Sequence, residues 1–293
     1  SLKLGVDNWI YANNHGQNGK VSLIKSTGTP PLDVKGADFR FRMDRNIFEL
    51  ETGSGQFGQT IDDWGHRFFT ENSIHIQQSI IPWRYTHRHA YLPMSKFSIS
   101  ITDHEEHSFQ ETQPPYWRAE RSARRNKSFK EANLNRIEYA EDRFSGSTGS
   151  TVYLGDAMPK EFYGNIFTGD VSGNLVHRDI LSPSESSPVM VAKRAESEKN
   201  MEFISSTDPW FRPVTFSVGP DGYLYMLDYY RQHIETPVSI PDDLKADMNF
   251  IAGSDMGRIY RVKPVNSSYK SVKVNLNAVS SIQLLNYLSY ENG

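Results

Sequence analysis

The sequence predicts an all-β chain with a short helical end, on three observations. Aromatic side chains are frequent, 12% of 293 residues, and fall on short segments, where large rings favour strands. A strand-turn-strand unit with an acidic turn recurs along the chain. Helical spacing of apolar residues emerges only beyond residue 264.

The recurring unit appears first at residues 5–12 (GVDNWIYA), again at 59–69 (QTIDDWGHRFF), and most clearly at 218–228 (VGPDGYLYMLD). In each, an Asp with Gly or Asn makes a tight turn and alternating aromatic or aliphatic residues follow. Trp9, Tyr11, Trp64, Phe68, Tyr223 and Tyr225 are thereby expected to pack in sheets. A related unit spans 151–180, with Ser172-Gly173-Asn174 as its hairpin turn, and 257–262 (GRIYRV) reads as one more alternating strand. Antiparallel units of this size are how radial sheets read in sequence. Residues 1–264 are therefore expected to form a partial β-propeller of about four blades or part-blades.

Two stretches interrupt the pattern. Residues 93–149 form a polar insertion, read as loops and a short helix over one face, and 182–200 is a Ser/Glu/Pro-rich loop. From 265 to 293 a linker leads into what reads as the first helix of a helical domain. Leu276, Val279, Ile282, Leu284, Leu285 and Leu288 approach helical spacing there, and Asn275 or Asn277 is placed to cap it. Ser1 opens inside a strand unit, which reads as a cut rather than a natural start.

Composition narrows the function. A net charge of −3 offers no bulk attraction to nucleic acid, and the basic run 118–130 reads as a solvated face or helix. No apolar run approaches ~18 residues, so no transmembrane segment is expected. The absence of cysteine excludes disulfides, thiolate metal sites and covalent c-type haem from these residues.

Several strings resemble the propeller region of bacterial "membrane-bound dehydrogenase" proteins, distantly similar to soluble pyrroloquinoline quinone (PQQ) sugar dehydrogenases. They are 53–58 (GSGQFG) with 62–65 (DDWG), 153–156 (YLGD) and 173–178 (GNLVHR). The most specific is 206–214 (STDPWFRPV), running into 219–222 (GPDG) and 229–231 (YYR). The resemblance implies a quinone-dependent sugar or alcohol dehydrogenase of the bacterial periplasm or cell envelope, with PQQ and calcium as cofactors. Electrons would pass to a cytochrome c domain or protein, haem lying on other segments or a partner. The remaining blades and a helical-repeat segment, or other subunits, would complete it. The other role open to such a fold is non-catalytic binding or scaffolding in an envelope complex.

The resemblance places the catalytic His of those enzymes at or before Ser1. Within the chain His15, in the polar loop 13–19, is the general-base candidate, beside the plainer reading of an ordinary loop residue. Arg212 stands where those enzymes carry a cofactor-facing Arg, and Gln56 and Arg231 lie in matching strings, so these three are the cofactor-binding candidates. Arg212 also reads as a structural ion-pair residue, with Asp208 or Asp228 at hand. Ser54-Gly55 replaces the Arg-Asn pair that the enzymes hold against the quinone.

No metal site is assigned. His104 and His107 in TDHEEH lie three apart in a polar loop, without the helical spacing zinc favours, and read as solvent-exposed; His87 and His89 carry no more signal. The turn acids Asp62 and Asp63 read as bonding their own backbone rather than calcium.

Overall fold

In the computed structural model, described for residues 1–24, 30–89, 91, 98–267, 269 and 275–287, the strands follow one another as antiparallel meanders. The first sheet contains β1 (Leu2–Leu4) and β2 (Ile10–Ala12). A small hairpin, β3 (Lys20–Val21) with β4 (Leu32–Asp33), precedes its last strands β5 (Asp38–Arg42) and β6 (Ile47–Glu51). The second holds β7 (Gly58–Ile61), β8 (Arg67–Glu71), β9 (Ile74–Ser79) and β10 (Ser98–Ser100). The third holds β11 (Ser147–Val152), β12 (Ile166–Asp170), β13 (Leu175–Pro183) and β14 (Met190–Arg194), with β15 (Ile204–Ser205) also on β13. The fourth is β16 (Pro213–Val218), β17 (Leu224–Asp228) and β18 (Arg258–Val262). The chain is all-β with a small helical part, as its sequence predicts.

The repeated acidic turn has one physical basis. Asp7 accepts from Trp9 N at 3.2 Å and the Tyr11 hydroxyl at 2.8 Å. Asp221 does the same for Tyr223 N at 3.4 Å and the Tyr225 hydroxyl at 2.9 Å. Asp62 accepts from Trp64 N and His66 N, at 3.0 and 2.8 Å. Each carboxylate holds its own turn, which fixes the strand register. Trp64 departs from the expected core packing: it occupies the turn itself and stands 85% exposed, whereas Phe68 on the following strand is fully buried.

Successive sheets meet through their leading strands and through cores of different character. A Cβ on Gly58 would fall 2.6 Å from Gly149 N, and one on Gly149 2.6 Å from Thr215 Cα, so β7, β11 and β16 run side by side in near backbone contact. Gly149 also has φ +64°, which an L side chain rarely adopts. Between the second and third sheets lie Phe68, Ile76, Ile101, Val152, Ile166 and Ala192. Between the third and fourth lie Tyr153, Phe167, Val176, Phe216, Leu224 and Met226. The first and second meet through polar groups instead. Arg67 pairs with buried Asp38 and donates to Thr52 O at 2.7 Å and to Gln59 Oε1 and Asn13 Oδ1 at 2.9 Å.

The polar insertion contributes β10 and a helix covering the basic run. After α1 (Trp83–Thr86) comes α2 (Tyr116–Glu131), which turns Trp117, Arg118, Arg121 and Ser122 inward. Its exposed Arg124 and Arg125 pair with Glu120, Asp243 and Glu138. Beyond α3 (Asp242–Lys245), the C-terminal helix is α4 (Ser281–Tyr287). The expected cap is corrected: Asn275 accepts from Asn277 N in a short 3₁₀ turn at Leu276–Ala278, one turn too early. Ser280 and Gln283 cap α4 reciprocally, each side chain bonding the other's backbone N–H. Leu288 lies outside the described residues. Among the described residues no helix is long and apolar enough to cross a membrane.

Candidate metal centre

Pleating and loop anchoring bring three imidazoles and one carboxylate together between the second and third sheets. His177 and Asp179 are two apart on β13 and so share a face. His75 is the second residue of β9. His104 comes from the loop after β10. That loop is fastened on one side by Ile101 O and Asp103 N to Ala192 backbone (2.9 and 3.1 Å), and on the other by Phe144 N to Glu106 O at 3.0 Å.

All three Nε2 atoms converge on the Asp179 carboxylate. His75 Nε2 is 3.1 Å from Oδ2, while His104 and His177 Nε2 are 3.0 and 3.2 Å from Oδ1. One ligand atom from each of the four residues lies within 4.8 Å of all the others. A tetrahedral ion with bonds of about 2.0–2.1 Å has ligand edges of about 3.3 Å, close to the three His–carboxylate separations. His177 Nε2 is buried and has no hydrogen bond, its line to Asp179 being poorly aligned for one. The ring centroids stand 5.0–5.2 Å apart, and Phe144 stacks on His75 at 4.5 Å.

The far nitrogens of two rings are held by separate carboxylates. His75 Nδ1 meets Glu106 Oε2 at 2.6 Å, and His177 Nδ1 meets Glu202 Oε2 at 2.7 Å. Glu202 is itself held by Arg194 at 3.1 Å and by Phe109 N at 2.9 Å. Carboxylates on the non-ligating nitrogens fix the tautomer and aim Nε2 inward, as outer partners of metal-bound histidines do.

The charges show what the cluster asks for. Burial disfavours the charged His75 ring, but hydrogen bonds to Asp179 and Glu106 outweigh it and raise its pKa to about 9. His177 is likewise raised, Asp179 and Glu202 overcoming its burial. Burial pushes the Asp179 carboxyl up, yet His177, His104 and His75 hold it well below the usual range. The carboxylates demand positive charge at this point, which protons or a metal ion can supply.

The sequence pattern assigns none of these residues to a metal, and His104 corrects an expectation: its side chain is 17% exposed and faces the cluster, whereas His107 lies on the surface. The detectable signal was His177-Arg178-Asp179, two chelating side chains on one face of a buried strand. The distances in sequence to His75 and His104 concealed the rest.

The residues expected to hold a quinone are placed differently. Arg212 is 4% exposed, and its guanidinium donates to Val171 O, Arg231 O and Gln232 O at 2.6, 3.0 and 3.0 Å. Asp228 accepts from its backbone N at 2.8 Å. Arg231 donates to the carbonyls of Tyr229 and Tyr230 at 3.1 and 3.0 Å and lies over the Tyr229 ring. Gln56 Oε1 accepts from Asn72 N at 3.0 Å. His15, at φ +50°, has Nδ1 3.3 Å from Ser54 O. The two guanidinium groups are engaged by the fold's own backbone and do not fit a role as free partners for quinone carboxylates.

Comparison with known proteins adds a family. No curated protein matches the chain. A solved structure named glucose dehydrogenase is similar to it, with a TM-score of 0.37 and 15% identity, over 78% of this chain and 59% of that one. The chain thus spans less than two thirds of that protein's length. The family model described as "Domain of unknown function (DUF7133)" matches residues 1–266, and the chain belongs to that family.

Proposed function

We propose that this domain is a metal-braced β module, holding one divalent transition-metal ion at His75, His104, His177 and Asp179. The observation that carries the reading is the convergence of three Nε2 atoms on one carboxylate, with two of the rings aimed by Glu106 and Glu202. Three imidazoles and a carboxylate are borderline donors, suited to zinc rather than to calcium or magnesium. With all four positions filled by protein the ion is structural: it ties β9 of the second sheet to β13 of the third and fixes the insertion's first loop. The test is elemental analysis and zinc titration of the purified full chain. About one ion per chain is expected, abolished in His177→Ala; a folded protein with no affinity for zinc, cobalt or manganese sinks the reading.

Two further roles are open, one from the resemblance and one from the fold. In one it oxidises a sugar or alcohol with PQQ and calcium and passes electrons to a cytochrome c in the bacterial envelope. In the other the module binds or scaffolds without catalysis. The engagement of Arg212 and Arg231 by backbone carbonyls favours the second. Adding PQQ and calcium to the intact protein and following dye reduction with sugars and alcohols separates them. Turnover lost on Arg212→Ala restores the dehydrogenase, and the absence of turnover and of a quinone spectrum supports the binding role.

A further inference from the structure

We infer that His104 is the exchangeable ligand of this centre, the side chain past which the ion enters and leaves; the inference rests on the metal reading above. The four ligands are unequal. His75, His177 and Asp179 are set on hydrogen-bonded strands and are 0–1% exposed. Two of them are also held from behind, His75 by Glu106 and His177 by Glu202. Moving any of these three would disturb paired strands in the contact between two sheets.

His104 lacks each of these restraints. It sits on a loop, and its Nδ1 has no hydrogen-bond partner, so among hydrogen bonds its ring is held only through the Nε2 side that faces Asp179, with ring contacts to His75 and His177 beside it. The next residue, Glu105, has φ +58°, a left-handed bend that carries its side chain out toward Arg143 at 3.1 Å. His104 also lines a surface depression with His107, Phe109, Arg194, Glu196 and Lys199. On another side of the cluster Phe144 stacks over His75 and closes it. A rotation of the His104 side chain therefore connects the centre with solvent, while the three strand ligands stay in place. What remains is an ion with three protein ligands and one open position facing the depression, the arrangement in which a small external donor completes the coordination.

Cobalt(II) in the full chain reports both coordination, through its visible absorption, and retention, through the rate of its loss to a chelator. The wild-type chain is expected to give a four-coordinate spectrum and slow release. His104→Ala is expected to retain cobalt, to release it at least about tenfold faster, and to regain spectrum and retention when free imidazole is added. His177→Ala is expected to lose the ion, and imidazole is not expected to restore it. Release from His104→Ala at the wild-type rate, or loss of cobalt that imidazole does not restore, overturns the inference and leaves the centre itself standing. A wild-type chain that takes up no cobalt overturns both.

Discussion

At the scale of single residues, the chain handles buried charge by building closed sets. Glu202 illustrates it, joining His177, Arg194 and the backbone of Phe109 in one carboxylate. Glu202→Gln keeps the shape but weakens the hold on the His177 ring, so zinc affinity by calorimetry should fall about 10–100-fold. Arg67 is the corresponding case away from the centre. It is 5% exposed and bridges from the second sheet to Asp38, Thr52 and Asn13 of the first, with Gln59 of its own sheet beside it. Arg67→Met leaves the Asp38 carboxylate buried with only the backbone N–H groups of Asn14 and Gly55 and no countercharge, and should cost about 3 kcal/mol in urea unfolding. A loss below ~1 kcal/mol would mean that water reaches Asp38 in the folded protein.

At the scale of elements, local chemistry was legible and assembled chemistry was not. The acidic turns could be read because an Asp bonds a backbone N–H two residues on, a relation contained in five letters. Trp64 was misplaced because its turn occupies the four residues 62–65, which puts an aromatic where alternation expects a strand position. The expected cap, Asn275 or Asn277, lies before the helix, at whose start Ser280 and Gln283 form the reciprocal pair instead. The histidine cluster had no comparable local signature. Its ligands come from β9, a loop and β13, and only the packing of two sheets unites them. That packing depends on glycine at β11, where a Cβ on Gly149 would meet Thr215 Cα at 2.6 Å and Val214 O at 2.7 Å. Gly149→Ala adds a backbone collision to a left-handed φ, whose strain alone costs about 1–3 kcal/mol. The expected result is a clearly lowered thermal midpoint, whereas an unchanged midpoint would mean that β11 and β16 are not in contact.

At the scale of the whole molecule, the described residues are held by two apolar cores between sheets, one polar contact between the first pair, and a proposed ion between the second and third. The ion's share can be measured apart from the rest. A ligand at a hundred times its Kd adds about 2.7 kcal/mol, which in a chain of this size raises the thermal midpoint by about 4 °C. Zinc should produce that rise in the wild type and in Phe167→Ala, which loses about 3–5 kcal/mol of core packing but keeps the centre. It should produce none in Asp179→Ala. The most direct test of the account is X-ray absorption at the zinc edge of the loaded full chain. The account predicts three imidazole nitrogens and one carboxylate oxygen at about 2.0–2.2 Å. A shell of water and carboxylate oxygens without the imidazole signature would contradict it, and would leave the four side chains as a hydrogen-bonded network that carries protons instead of a metal.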